Sequence, residues 1–222
     1  GSAIYLSNYY HSVDVEKYMN GSWEVSVEKF DKGWFFDGAG EEKALIFYPG
    51  AKVATEAYAP LMYQLAESGI DCFLVDMPFH MAFFGMNRAE EIMQEYNYEA
   101  WYLGGHSLGG AMAANFAADY VEDHTDGIRG LLLLAAYPTK DLSTSDMSVV
   151  TVYGSEDGVL NMDKIVAGRE LMPQDYKEVC IEGGNHAQFG SYGAQKGDGT
   201  AAIPAEEQWA RTVEVFVGDE SE

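Results

Sequence analysis

Short, unbroken apolar runs alternate along this chain with segments whose apolar residues recur at helical spacing. The runs fall at residues 44–48, 72–75, 101–103, 131–135, 149–153 and 179–181. Runs this short and continuous suit strands buried on both faces. The intervening segments predict helices at 56–68, stopped by Gly69, and at 88–96, 108–120, 162–171 and 205–217. Strand and helix taking turns in this way predict a parallel sheet. Earlier in the chain, residues 23–30 alternate in polarity. Asp31-Lys32-Gly33 separates them from Trp34-Phe35-Phe36, which predicts an antiparallel hairpin at the sheet edge. The fold class expected is therefore α/β, with a mostly parallel central sheet of about eight strands and helices on both faces. A single domain over residues 23–222 is expected, preceded by an N-terminal extension over 1–22.

One junction between a run and a helix carries chemistry. Leu103-Gly104-Gly105-His106-Ser107-Leu108-Gly109-Gly110 places Ser107 inside Gly-x-Ser-x-Gly, where a strand must turn abruptly into a helix. Only residues with little or no side chain fit around so tight a bend. The serine at its apex would stand above the sheet, with the first free N–H groups of the helix aimed at any oxyanion formed there. Asp157, in Tyr153-Gly154-Ser155-Glu156-Asp157-Gly158, lies four residues beyond its apolar run. His186, in Gly183-Gly184-Asn185-His186, lies five beyond the next. Both therefore fall on loops at the carboxyl ends of strands, the edge that carries the ligand site in an open parallel sheet. A neutral imidazole at His186 would take the Ser107 proton, while a carboxylate at Asp157 would hold the ring's other N–H. Asp76, at another strand end, is the alternative acid. His106 is discounted as a base because adjacent residues on an elbow point apart.

These residues, with Tyr48-Pro49-Gly50-Ala51-Lys52-Val53 and Glu182-Gly183-Gly184-Asn185-His186-Ala187-Gln188-Phe189-Gly190, make the chain resemble an α/β-hydrolase across about residues 23–217. It resembles in particular a bacterial branch of small serine hydrolases with little or no lid, most of them uncharacterised. The resemblance implies the α/β-hydrolase fold, a Ser-Asp-His triad and an oxyanion hole of two backbone N–H groups, here Leu108 and Ala51. Many relatives have His-Gly where this chain has Pro49-Gly50. The glycine that permits close backbone approach is retained, and the chemistry at the rim of the hole changes. The implied activity is cleavage of a small carboxylic ester, thioester or lactone through an acyl-enzyme on Ser107. A binding protein on a hydrolase scaffold and an acyltransferase using the same triad are the alternatives.

Between Ala135 and Ser148 the chain is too short for a helical lid, so no large cap domain is expected and small or extended substrates fit best. Candidate substrate-contacting residues are His80, which otherwise is a surface loop histidine, and Gln188, Phe189 and Tyr192 in the glycine-rich loop after His186. Pro78, Phe79, Met81, Phe83, Phe84 and Met86 either roof an acyl pocket or form the apolar face of a connecting helix. Neither the five histidines nor the two cysteines cluster at metal-ligand spacing, and there is no phosphate-binding glycine loop, so no metal and no cofactor are expected.

A formal net charge of −23 over 222 residues argues against nucleic acid and anionic membranes as partners. Clusters such as Glu90-Glu91, Glu206-Glu207 and Asp219-Glu220 read as solvated faces. The expected partner is a small-molecule ester, and oligomeric state is left open. Cys72 and Cys180 fall on strands too far apart to pair, so both are expected as buried free thiols. No membrane span or signal peptide is visible. Gly1-Ser2 reads as a cloning remnant, so compartment stays open, and an N-terminal signal or anchor trimmed away would make Tyr5 to Tyr18 a short stalk.

Overall fold

The computed structural model describes residues 8–80, 85, 87–124 and 127–221. Its centre is an eight-stranded sheet made of β1 (Ser26–Phe30), β2 (Gly33–Asp37), β3 (Lys43–Tyr48), β4 (Ile70–Val75), β5 (Ala100–His106), β6 (Gly130–Leu134), β7 (Ser148–Gly154) and β8 (Tyr176–Ile181). The strands lie in the order β1-β2-β4-β3-β5-β6-β7-β8. The β1–β2 hairpin joins β4 in antiparallel register, with Phe36 opposite Cys72, and every other pairing is parallel. This is the mixed sheet expected, with the hairpin at one edge.

Among the described residues, six α-helices surround it: α1 (Glu16–Met19), α2 (Ala59–Glu67), α3 (Arg88–Glu95), α4 (Leu108–Asp123), α5 (Met162–Gly168) and α6 (Ala205–Ser221). Two apolar cores result, one on each face of the sheet. Leu45 and Phe47 of β3 pack with Leu61 and Leu65 of α2 and Trp209 and Phe216 of α6. Ala44 and Ile46, pointing the other way, pack with Ile92 of α3 and with Ala113 and Ala117 of α4. The period-two alternation of a strand thus divides one continuous apolar run between two cores.

Two departures from the expected elements have physical causes. The helix expected from residue 56 opens instead as a 3₁₀ turn over Thr55–Tyr58, and α2 proper begins at Ala59. Pro60 has no N–H and fits only the first turn of an α-helix, which sets that boundary. Strand β8 is only partly buried and Cys180 on it is exposed, whereas Cys72 is buried; both are free thiols. An edge strand has a neighbour on one side only, so its apolar run does not guarantee burial. Residues 8–22 lie on the domain itself: Tyr10 bridges Val53 in parallel, and Val15 is buried in the core beneath α2 and α6. Residues 135–147 form no helix, so no large cap covers the carboxyl ends of the strands.

Candidate active site

The end of β5 and the start of α4 meet at Ser107, whose φ of 56° and ψ of −125° lie where a residue with a side chain is strained, by roughly 1–3 kcal/mol. The surroundings hold it there. Ser107 N–H donates to Leu134 O of the neighbouring strand at 2.9 Å. A Cβ on Gly105 would sit 2.5 Å from the Gly109 carbonyl carbon, and one on Gly109 would sit 2.2 Å from Pro49 O. Glycine on both sides of the serine is therefore a steric requirement, and it brings the turn against the loop that follows β3.

Backbone N–H groups gather at this turn. The first intrahelical bond of α4 runs from Ala111 N–H to Ser107 O, so the Leu108 N–H precedes the hydrogen-bonded ladder. In the loop after β3, Gly50 N–H donates to the Tyr58 hydroxyl, Lys52 N–H to His80 O and Val53 N–H to Gly50 O. Among the described residues no partner takes the intervening Ala51 N–H. Two uncommitted donors on adjoining loops are what a developing oxyanion needs.

The loops after β7 and β8 supply an acid and a base in contact. His186 Nδ1 lies 2.8 Å from Asp157 Oδ2, with the two side chains 2% and 3% exposed. Asp157 Oδ1 accepts from the Val159 and Leu160 amides, each at 2.8 Å. Burial pushes the Asp157 carboxyl up, but the His186 bond and charge and these two amides outweigh it, and the group stays below its usual range. Asp157 is thus a carboxylate acceptor, so His186 Nδ1 carries a proton, and in the neutral ring the lone pair lies on Nε2.

A residue that the motifs did not single out clamps these loops. Asp198 Oδ1 accepts from Gly158 N–H at 3.1 Å, beside the acid, and from His186 N–H at 3.2 Å. Its Oδ2 accepts from Ala187 N–H at 2.9 Å. In sequence, Gly197-Asp198-Gly199 is only a turn signal.

The remaining candidates fall into distinct places. Gln188 spends its amide on Ile203 O and Gln208 Oε1. Phe189 and Tyr192 are buried in the core, with rings 5.6 Å and 6.4 Å from that of His106. His80 stacks on Tyr9 at 3.9 Å, next to Lys52. Burial lowers the His80 pKa. Asp76 is half-exposed and ion-paired with Lys29. His106 is fully buried, its Nδ1 2.7 Å from the Tyr58 hydroxyl and its ring 4.6 Å from that of His186. Met81, Phe83, Phe84 and Met86 lie outside the described residues. Among those described, no group of three or more His, Cys, Asp or Glu side chains is placed to hold a metal ion, and no helix is long and apolar enough to cross a membrane.

Of the comparisons with known proteins, one shows the family and another the fold. The model of the alpha/beta hydrolase family matches residues 44–210. A comparison with curated proteins finds no match. Among solved structures, Est1E from Butyrivibrio proteoclasticus is similar with a TM-score of 0.63 at 15% identity, over 90% of this chain and 100% of that one. An esterase from Pyrobaculum calidifontis is similar with a TM-score of 0.65 at 14% identity, over 93% of this chain and 88% of that one. A thermostable esterase from Pseudomonas putida aligns with a TM-score of 0.59 at 15% identity, over 92% and 85% of the two chains. With the family model matched across most of its length and the same fold in these structures, the chain belongs to the alpha/beta hydrolase family.

Proposed function

We propose that this hydrolase cleaves a small carboxylic ester, thioester or lactone through an acyl-enzyme on Ser107. The observation that carries the reading is the buried Asp157–His186 pair at the same edge of the sheet as a serine held in a strained turn. In the first half-reaction His186 Nε2 takes the Ser107 proton as Oγ bonds to the substrate carbonyl carbon, which requires the two atoms to meet at about 3 Å. The Ala51 and Leu108 N–H groups hold the oxyanion. The imidazolium, stabilised by the Asp157 carboxylate, then protonates the departing alkoxide or thiolate as its bond to the acyl carbon breaks. Water repeats the sequence on the acyl-enzyme, releasing the acid and restoring Ser107.

The absence of a helical cap over residues 135–147 supports small or extended substrates rather than long lipid chains. The esterases among similar folds support an ester bond as the target. The test is turnover of p-nitrophenyl esters from acetate to decanoate by the wild type and Ser107→Ala. Activity on the short esters that disappears in the variant supports the reading. Equal turnover by the two overturns it.

A further inference from the structure

The mechanism uses neither Tyr58 nor His106, yet both are wholly buried polar side chains against its two halves. Tyr58 ends the 3₁₀ turn Thr55–Tyr58, and His106 is the last residue of β5. The Tyr58 oxygen accepts Gly50 N–H at 3.0 Å and lies 2.7 Å from His106 Nδ1. The direction of the second bond follows from counting partners. If His106 Nδ1 carried the proton, the buried Tyr58 hydroxyl hydrogen would have no acceptor. Tyr58 therefore donates to Nδ1, and His106 is neutral with its proton on Nε2.

The surroundings maintain that state. Burial raises the Tyr58 hydroxyl pKa, so it keeps its proton. Burial first, and then the positive charge a protonated His186 carries, hold His106 well below the ordinary histidine range, with the His186 backbone acting in the opposite sense. Neutrality matters because the His106 ring lies 4.6 Å from the His186 ring, which becomes a cation during turnover. Close approach also explains the residue at the other end of the chain of bonds. A Cβ on Gly50 would lie 2.9 Å from the Tyr58 oxygen and 3.2 Å from His106 Nδ1.

We infer that Tyr58 and His106 are positioning residues that tie the loop bearing the Ala51 oxyanion donor to the back of the His186 imidazole. The run is Gly50 N–H to Tyr58 O, Tyr58 O–H to His106 Nδ1, and His106 ring against His186 ring. One buried polar pair thereby aligns the amide that receives negative charge with the base that delivers the proton. This inference rests on the acyl-enzyme reading above.

The test uses three variants, Tyr58→Phe, His106→Phe and His106→Asn, assayed with p-nitrophenyl acetate and with a trifluoromethyl ketone. The ketone adds Ser107 Oγ to its carbonyl carbon, sends the serine proton to His186 and leaves an alkoxide in the oxyanion site. Loosening a donor costs less than the 10²–10³-fold of deleting one, so kcat of Tyr58→Phe should fall about tenfold to a hundredfold with KM within about twofold. Inhibition by the ketone should weaken in proportion. His106→Phe should match it, and His106→Asn, whose side-chain oxygen can stand in for Nδ1, should recover most of the loss. Folded variants with lowered melting temperature but wild-type kcat and ketone affinity would overturn the inference. So would a His106→Asn no better than His106→Phe. If Tyr58→Phe does not fold, the two His106 variants decide the question. A wild type that turns over neither ester nor forms the ketone adduct would instead remove the acyl-enzyme reading on which the inference rests.

Discussion

The two ends of the central sheet differ in a way that separates space from chemistry. At the amino ends of β5, β6 and β7 lies a cleft of about 780 Å³ bordered by Glu99, Glu122, Arg129, Asp141 and Asp146. Of its carboxylates, Asp141 serves a turn, accepting Ser143 N–H at 2.9 Å. At the carboxyl ends, loops pack so closely that a Cβ on Gly154 would sit 2.3 Å from the Gly184 carbonyl carbon. That edge carries the buried Asp157–His186 pair and the strained turn at Ser107. The difference has a backbone cause. The loop leaving a parallel strand leads into a helix N-terminus, with free N–H groups and a positive dipole end, which the opposite edge lacks.

That contrast can be broken by substitution, with the greatest effect at Ser107. Ser107→Ala should reduce kcat on short esters by about six orders of magnitude while the protein stays folded by circular dichroism. Glu122→Ala in the large cleft should stay within about twofold of wild type, and a large loss there would reverse the assignment of edges. Asp157→Asn should cost about four orders of magnitude in kcat, because His186 would lose the carboxylate that fixes its tautomer. Asp76→Asn should cost a few-fold at most, and the opposite ranking would transfer the acid role to Asp76.

The clamp between the two loops gives a smaller, mixed effect. Asp198→Ala leaves the Gly158, His186 and Ala187 amides without their acceptor, so urea denaturation should show a loss of about 2–3 kcal/mol along with reduced kcat. Unchanged stability would show the clamp to be incidental.

The smallest effect belongs to the amino edge and to pH. Asp71, at the start of β4, is 2% exposed and accepts from Tyr98 O–H at 2.6 Å and Gly38 N–H at 2.9 Å. Burial, opposed by those two bonds and aided by the Asp37 charge, pushes its carboxyl up to about 6. The folded state therefore binds this proton more tightly than the unfolded chain. The stabilisation is complete below about pH 4, the unfolded carboxyl value, and is lost as pH rises through 6. Asp71→Asn resembles the protonated form and should be more stable than wild type at pH 7 by about 2 kcal/mol, with the gain vanishing near pH 4. Thermal melts at the two pH values measure it, and kcat should not follow the change. A pH-independent difference would refute the burial account of Asp71.

How much of this was legible in the sequence depends on the range of the signal. The strands, the hairpin and the turn at Ser107 were legible because apolar runs and flanking glycines act locally. The loops of Asp157 and His186 were legible because both follow a strand end, and their side chains do meet. The exposure of Cys180 was not, since an apolar run carries no mark of lying at an edge. Nor was the start of α2 at Ala59, where Pro60 overrides the apolar spacing that suggested residue 56. Asp198 and Tyr58 were invisible for a deeper reason. Asp198 reaches Gly158, 40 residues away, and Tyr58 reaches His106, 48 residues away. No local pattern encodes a contact that exists only once distant loops are side by side.

The central claim, that Ser107 is a nucleophile activated by His186, is tested most directly by intact-mass spectrometry after exposure to a fluorophosphonate. Ser107 Oγ would bond to phosphorus as fluoride leaves and the serine proton passes to His186. The account predicts a single phosphonyl adduct on the wild type, none on Ser107→Ala and far slower labelling of His186→Ala. A folded wild type that takes no label, or a Ser107→Ala variant that labels as the wild type does, would contradict it.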